Sequence, residues 1–174
     1  PAKILLNIGR QGVIPEGDTA NLSLANVEVA KAAIARNLDY VVGVKARMTE
    51  GVTANDLTVI RRAQEVASYF NMPLMIHMGQ SASSMADLAA ELKPGDVVTH
   101  MYAPPPNAII DDDGKILPEI LEARRRGIWF DVANGRVDHL RWDTFDAIMA
   151  EGFWPDTIST DGFSTSRSAP GVRN

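Results

Sequence analysis

The stretch VVGVKARMTEGVTANDLTVIRRAQEVASYFNMPLMIH, residues 41–77, contains one complete strand–loop–helix–strand pattern. Its two ends, VVGVK (41–45) and MPLMIH (72–77), are short apolar runs of the kind that form buried strands in a parallel sheet. Between them, residues 55–70 carry apolar side chains at helical spacing, after polar residues that can cap a helix. The stretch therefore predicts one βα unit and an α/β fold.

The same pattern recurs along the chain at intervals of about 30 residues, the length of one strand–helix unit. Further short apolar runs are KILLNI (3–8), DVVTH (96–100), GIWFDVA (127–133) and TISTD (157–161). Six such units in 174 residues predict a single domain, 1–174, built as a partial (β/α)8 TIM-type barrel. A complete barrel usually needs about 250 residues.

The composition is that of an ordinary globular domain, with 45% hydrophobic and 22% charged residues. A net charge of −5 argues against nucleic acid as a partner, and no apolar stretch reaches the roughly 20 residues of a membrane span. The chain has no cysteine, which excludes disulfides and thiolate metal sites. With no visible signal peptide, we expect a cytoplasmic location. A partial barrel exposes two strand edges, so we also consider a homo-oligomer that covers them.

Four of the predicted strands end in a residue that can serve at a metal site: Lys45, His77, His100 and Asp161. Because the active site of a parallel barrel lies at the carboxyl ends of its strands, we expect these side chains to meet at one mouth. Two imidazoles and a carboxylate are good ligands for Zn²⁺ or a similar divalent ion.

Lys45 is not an ordinary metal ligand, because its ammonium group carries a positive charge and no acceptor. Three interpretations are open. Lys45 can be an ion-pair partner of Asp161, a Schiff-base nucleophile with a lowered pKa, or a lysine carbamylated by CO₂. A carbamate is an anion with two oxygens, so it can bridge two metal ions that activate a hydrolytic water.

The order Lys, His, His, Asp on successive strands resembles that of the amidohydrolase superfamily of binuclear metal hydrolases. The strings VVGVKARMT, LMIHMG, VVTHMY and TISTDGFSTSR resemble its dihydroorotase-like branch, and within it the deacetylases that act on N-acyl or ester substrates. The resemblance covers essentially the whole chain. It implies that the chain corresponds to strands 3 to 8 of the family's barrel.

The resemblance also implies a role for each residue. Lys45 would be the carbamylated ligand that bridges two ions, with Zn²⁺ as the expected metal, and His77 and His100 would bind the second ion. Asp161 would bind the first ion and act as general base, then general acid, toward a metal-activated water. The implied activity is the metal-dependent hydrolysis of amide or ester bonds in small molecules.

One departure from the family pattern is visible. The family's first strand carries a His-x-His pair that holds the first ion, whereas the histidines of this chain, His77, His100 and His139, form no such pair. Two alternatives therefore stay open. One is a lyase that uses Lys45 as a Schiff base on the same barrel. The other is a catalytically incomplete fragment that acts only in an assembly.

Three residues near the predicted strand ends are candidates for substrate binding: Asn134, Arg47 and Tyr102. Asn134 follows the fifth predicted strand, and Tyr102 can form a pocket wall beside the proline-rich loop. Arg47 can meet a substrate carboxylate bidentately, or it can pair with Glu50 or another acid. His139, in the segment NGRVDHLRW, is interpreted as a surface-loop residue, with a substrate contact as the alternative.

Overall fold

Five strands form one parallel sheet in the computed structural model, which describes residues 2–134 and 139–162. The strands lie side by side in chain order, and a helix connects each to the next, as in a barrel. The strands are β1 (Ile4–Asn7), β2 (Val41–Arg47), β3 (Leu74–His77), β4 (Val97–Thr99) and β5 (Trp129–Asp131). The helices are α1 (Val27–Ala35), α2 (Asp56–Tyr69), α3 (Met85–Ala90), α4 (Pro118–Arg125) and α5 (Trp142–Ala150), with a 3₁₀ turn at Leu22–Leu24. The predicted α/β fold of partial-barrel type is confirmed.

Short polar side chains begin three of the helices. Asn26, Asn55 and Ser84 each accept a hydrogen bond from a backbone N–H in the first turn of α1, α2 and α3. Helix α4 instead has Pro118 at its start, where the missing N–H is not needed. All five predicted helices therefore form, with ends that differ by a few residues from the predicted ones. Among the described residues, no helix combines the length and hydropathy that a bilayer span requires.

The hydrophobic core lies between the sheet and the helices. Strand side chains alternate between two faces, and the face toward the helices is apolar on every strand from β2 to β5. Its fully buried residues include Val44, Ala46, Ile76, Val98 and Phe130. The alternation leaves the opposite face free to carry polar groups.

That opposite face presents a row of polar side chains at the carboxyl ends of the strands. The parallel register aligns Arg47 of β2 with His77 of β3, and His77 with Thr99 of β4. Thr99 is in turn aligned with Asp131 of β5, and its hydroxyl donates a 2.7 Å hydrogen bond to the Asp131 carboxylate. The sheet therefore holds neighbouring polar groups at fixed spacing along its mouth.

The sixth predicted strand, 157–161, does not form as a strand. It meets β5 and the residues just after it through a single parallel bridge, between Asp131 and Thr157, and three backbone hydrogen bonds of 3.1 to 3.4 Å. The hydroxyls of Thr157 and Ser159 both donate to the Asp131 carboxylate, whereas Ile158 between them is 82% exposed. The segment therefore lies beside β5 without forming a regular strand. The expectation of six strands is corrected to five for the described residues.

The amino ends of β3 and β4 are joined by Asp96, whose carboxylate is buried and accepts hydrogen bonds from N of Leu74 (2.7 Å), N of Lys93 (2.8 Å) and Nε2 of Gln64. We expect Asp96→Ala to lower the free energy of unfolding by about 2 to 4 kcal/mol, because three donors, two of them buried, lose their acceptor. Chemical denaturation measures this change. The exposed Asp112→Ala is the control, expected within about 0.5 kcal/mol of the parent. A loss below about 1 kcal/mol for Asp96→Ala would contradict this account.

Candidate metal centre

Three histidines converge at the mouth of the sheet. His77 is the last residue of β3, His100 directly follows β4, and His139 lies between β5 and α5. One ring nitrogen from each lies within 4.8 Å of the other two. The ring centroids are 3.8 Å apart for His100 and His139, 4.3 Å for His77 and His100, and 5.1 Å for His77 and His139. The two histidines predicted from the strand ends therefore meet, and a third imidazole joins them.

The orientation of His100 is set by the end of β5. Its Nδ1 lies 2.8 Å from the backbone oxygen of Ala133, and because a carbonyl only accepts, Nδ1 carries the proton and donates. The other nitrogen, Nε2, is then left with a free lone pair. This is the usual arrangement of a metal-binding histidine, whose second nitrogen is held by a backbone or carboxylate acceptor.

Asp161 brings a carboxylate to the same place. Its Oδ2 lies 3.4 Å from Nδ1 of His139 and 4.0 Å from Nε2 of His100. The Asp161 side chain is 44% exposed, whereas those of His100 and His139 are buried. The site thus combines buried imidazoles with a carboxylate that solvent can reach.

Burial of the imidazoles, and the contact of His139 with Asp161, set the pKa values of these groups. Desolvation lowers the pKa of His77 far below its usual range. It also lowers the pKa of His100 to about 4, with a further contribution from the neighbouring His139. His139 in turn lowers the pKa of the Asp161 carboxyl. At neutral pH the site therefore offers neutral imidazoles at His77 and His100 and an ionised carboxylate, which are the forms that bind a divalent ion.

Lys45 lies on β2 two residues before the last residue of the strand, Arg47, and is in register with Met75 of β3. Burial lowers the pKa of Lys45 to about 8, against the attraction of Asp161 and Asp131. Asp161 is within 4.0 Å of the two histidines but, among the described residues, not of the Lys45 ammonium. The two described groups therefore form no direct ion pair, although the Asp161 carboxylate still attracts the Lys45 ammonium. A lysine whose pKa is lowered, so that more of it is neutral near pH 7 than for an ordinary lysine, suits the two other interpretations, the Schiff base and the carbamate.

The backbone is strained at the same strand ends. His100 (φ +71°), Ala133 (φ +41°) and Asp161 (φ +46°) are non-glycine residues in the left-handed region. Such conformations are uncommon and cost about 1 to 3 kcal/mol each, so they persist only where the surroundings enforce them. Here they aim His100 and Asp161, and the carbonyl that orients His100, in directions that a regular strand would not allow.

The described residues fit a divalent metal ion. Nε2 of His100 has a free lone pair, and Nδ1 of His139 is buried with no hydrogen-bond partner in the part of the chain that the structure describes. Nitrogen and carboxylate donors at short mutual distance are the ligands that Zn²⁺ and similar ions take. The cluster of His77, His100, His139 and Asp161 is therefore a candidate metal centre.

Arg47, a predicted substrate-binding residue, pairs with an acidic side chain of the protein, which was the alternative to binding a substrate carboxylate. The acid is Asp18 rather than Glu50: Nη1 of Arg47 lies 3.0 Å from Oδ1 of Asp18. Asn7 donates to the other oxygen of Asp18 at 2.8 Å, and Asp18 is only 1% exposed. The guanidinium is therefore held in place at the end of β2, next to His77 in register. Its role in substrate binding stays a prediction.

The other two predicted substrate-binding residues differ in exposure. Tyr102 is buried, its ring packs against Phe145 of α5, and its hydroxyl donates to Sδ of Met149 at 3.4 Å. Asn134 is exposed, and its backbone N–H donates to the oxygen of Ser159. Tyr102 thus packs inside the protein, whereas Asn134 is exposed to solvent beside the mouth. For both, substrate binding stays a prediction.

His139 corrects the interpretation made from its local sequence. It is 7% exposed and stacks on His100 at an interplanar angle of 30°, so it is not a surface-loop residue. Its position after the fifth apolar run was the one available signal that it could reach the mouth. The segment around it has no periodicity from which burial could be predicted.

Comparison with known proteins shows which proteins this chain is similar to. No family model matches the chain. A deacetylase of Enterococcus faecalis is 31% identical over 166 residues, which is 94% of this chain and 45% of that protein. A deacetylase of Agrobacterium fabrum is 25% identical over 172 residues, covering 97% of this chain and 42% of its own length.

Two solved structures share the fold. An adenine deaminase superposes with a TM-score of 0.88 at 30% identity, over 94% of this chain and 45% of that one. A dihydroorotase superposes with a TM-score of 0.80 at 24% identity, over 92% of this chain and 42% of that one, and at this identity the likeness shows the fold alone. The chain spans less than half the length of each of these relatives.

Proposed function

Because the chain belongs to the amidohydrolase superfamily, we propose that it carries part of the active site of a metal-dependent hydrolase of amide or ester bonds in small molecules. The observation that carries the proposal is the convergence of His77, His100 and Asp161 at the carboxyl ends of the strands, with one imidazole nitrogen free and the carboxylate ionised. Relatives named deacetylases support an N-acyl or ester substrate.

His77 and His100 would hold a divalent ion, Zn²⁺ by the chemistry of its donors, and a carbamate on Lys45 would bring a second ion within reach. A bound ion would polarise the substrate carbonyl and lower the pKa of a water molecule. The carbamate would form when the neutral amine of Lys45 attacks CO₂ and loses a proton. A pKa of about 8 leaves part of Lys45 neutral at pH 7 and so favours that reaction.

Asp161 would move the proton. Its lowered pKa keeps the carboxylate ionised at neutral pH, and its exposure gives the attacking water access to it. It would take a proton from that water and then donate it to the leaving nitrogen or oxygen, acting first as general base and then as general acid. His100 would be kept in one tautomer by the Ala133 carbonyl throughout.

Substrate orientation would come from groups around the mouth. Arg47 is held by Asp18 yet keeps about a quarter of its side chain exposed (26%), so its remaining N–H groups can donate to a substrate carboxylate. Asn134, exposed beyond β5, can offer its amide to the substrate from the other side. These two residues suit a small, polar N-acyl compound.

The proposal is tested by metal content. We expect protein purified without chelator to contain about one or two equivalents of zinc or a similar ion, and the His77→Ala/His100→Ala double variant to contain less than about a tenth as much, since two ligands are lost. Elemental mass spectrometry measures both, and Asp112→Ala is the surface control. Hydrolysis of N-acetyl amino acids and simple esters then tests the reaction. A metal-free parent protein, or a double variant with unchanged metal content, would overturn the proposed site.

A further inference from the structure

We propose that His139 is a metal ligand, so that His77, His100 and His139 bind one divalent ion through three nitrogens, with Asp161 beside the open fourth position. This inference rests on the proposed metal site of His77 and His100, but not on hydrolytic activity. It goes beyond the ligands expected from the strand ends, because His139 lies on the segment between β5 and α5 and not at a strand end.

The distances fit such a centre. In a tetrahedral zinc site with metal–nitrogen bonds of about 2.0 Å, neighbouring ligand atoms are about 3.3 Å apart. The three imidazole nitrogens lie within 4.8 Å of one another, and Oδ2 of Asp161 is 3.4 Å from Nδ1 of His139. The ligand atoms are therefore already close to the mutual distances of one such centre.

The burial of His139, together with its unsatisfied Nδ1 atom, indicates that this atom binds another group. The residue is 7% exposed, and Nδ1 makes no hydrogen bond among the residues that the structure describes. A buried polar atom without a partner costs free energy, so such atoms normally bind another group, a water molecule or an ion. Nδ1 lies 3.4 Å from Oδ2 of Asp161 but does not meet hydrogen-bond geometry with it, so Nδ1 stays available to an ion.

The angles between the three imidazole planes show which ring must reorient to bind a common ion. His77 meets the other two rings edge to face, at 70° and 84°, whereas His100 and His139 are stacked at 30°. An ion lies in the plane of each imidazole that binds it, so the two stacked rings cannot both keep their present orientation around one ion. His100 is held by its Nδ1 bond to Ala133, whereas Nδ1 of His139 makes no hydrogen bond among the described residues, so His139 is the ring that turns.

Three nitrogen ligands and an open position define the class of ion. Such a set is that of a catalytic zinc centre, with three protein ligands and a fourth position for water or substrate. Imidazole also binds Co²⁺ and Ni²⁺, which permits a spectroscopic substitute. The chain can therefore complete a one-ion centre from its own residues, without the first-strand His-x-His pair of the family pattern.

The experiment is a Co²⁺ titration of the full 174-residue chain and of two variants, His139→Ala and His139→Cys. We expect the parent to bind one equivalent with the intense visible bands of four-coordinate Co²⁺, and His139→Ala to bind more than about 100-fold more weakly, since even changes behind the ligands cost roughly 10- to 100-fold. The chain has no cysteine, so a thiolate-to-Co²⁺ charge-transfer band in His139→Cys can arise only at position 139. Circular dichroism checks that each variant is folded.

The outcomes separate the two proposals. If the parent binds no Co²⁺ or Zn²⁺, both the proposed function and this inference fail. If the parent binds but His139→Ala binds as tightly, and His139→Cys shows no charge-transfer band, the inference alone fails. The band in His139→Cys would support it even where His139→Ala is too unstable to titrate.

Discussion

The Asp161→Asn variant is expected to lose about 10²- to 10⁴-fold in kcat/KM for hydrolysis while keeping its bound metal, because an amide cannot take up the proton that a carboxylate accepts. The carboxylate is suited to the role by its surroundings: His139, 3.4 Å away, lowers its pKa, and 44% of the side chain is open to solvent. Steady-state kinetics on an N-acyl or ester substrate measure the loss, and elemental analysis shows that metal is retained.

The matched control is Asp112→Asn, an exposed aspartate in the loop before α4, which should hydrolyse at the parent rate. Because the pKa of Asp161 is lowered, its carboxylate stays ionised as the pH falls below the ordinary carboxyl range, so the acid limb of kcat/KM should lie at unusually low pH. An Asp161→Asn variant that keeps its activity within about tenfold of the parent would remove Asp161 from the proton transfer.

Lys45→Met is expected to have the second large effect, a loss of about 10²- to 10³-fold in kcat/KM, because it removes the group that becomes either the carbamate or the nucleophile. Its fold should persist, since methionine replaces the buried stem with a chain of similar length. Lys115→Met, on the surface beside Glu151, is the matched control and should leave the rate unchanged. Parent-like hydrolysis by Lys45→Met would exclude Lys45 from the reaction.

Two direct measurements distinguish a carbamate from a Schiff base at Lys45. A carbamate forms from the neutral amine, so its signal with ¹³C-labelled bicarbonate should grow as the pH rises through about 8, the pKa to which burial lowers Lys45. Borohydride in the presence of a carbonyl substrate should trap nothing on a carbamylated lysine. A borohydride adduct at Lys45 together with no ¹³C signal would instead favour the Schiff-base lyase, the alternative that the lowered pKa also permits.

Much of the fold could be predicted because it is encoded locally. The apolar runs at 41–45, 72–77 and 96–100 are short and uninterrupted, as buried parallel strands are, and Asn55 and Ser84 carry the helix caps. The prediction of a strand at 157–161 was wrong. Its Thr, Ile and Ser residues match a strand pattern whether or not the segment joins a sheet. Whether such a run joins the sheet depends on an apolar neighbour for Ile158, which local sequence does not specify.

The sequence by itself determined the βα order and the residues at the strand ends, because period-two burial and the strand–helix repeat require only neighbours along the chain. Only the tertiary structure decided the rest of the site. It stacked His139 on His100 and paired Arg47 with Asp18. It also packed the ring of Tyr102 against Phe145 of α5. Each of these contacts joins residues far apart in the chain, where distance depends on how the units pack and no local pattern records it.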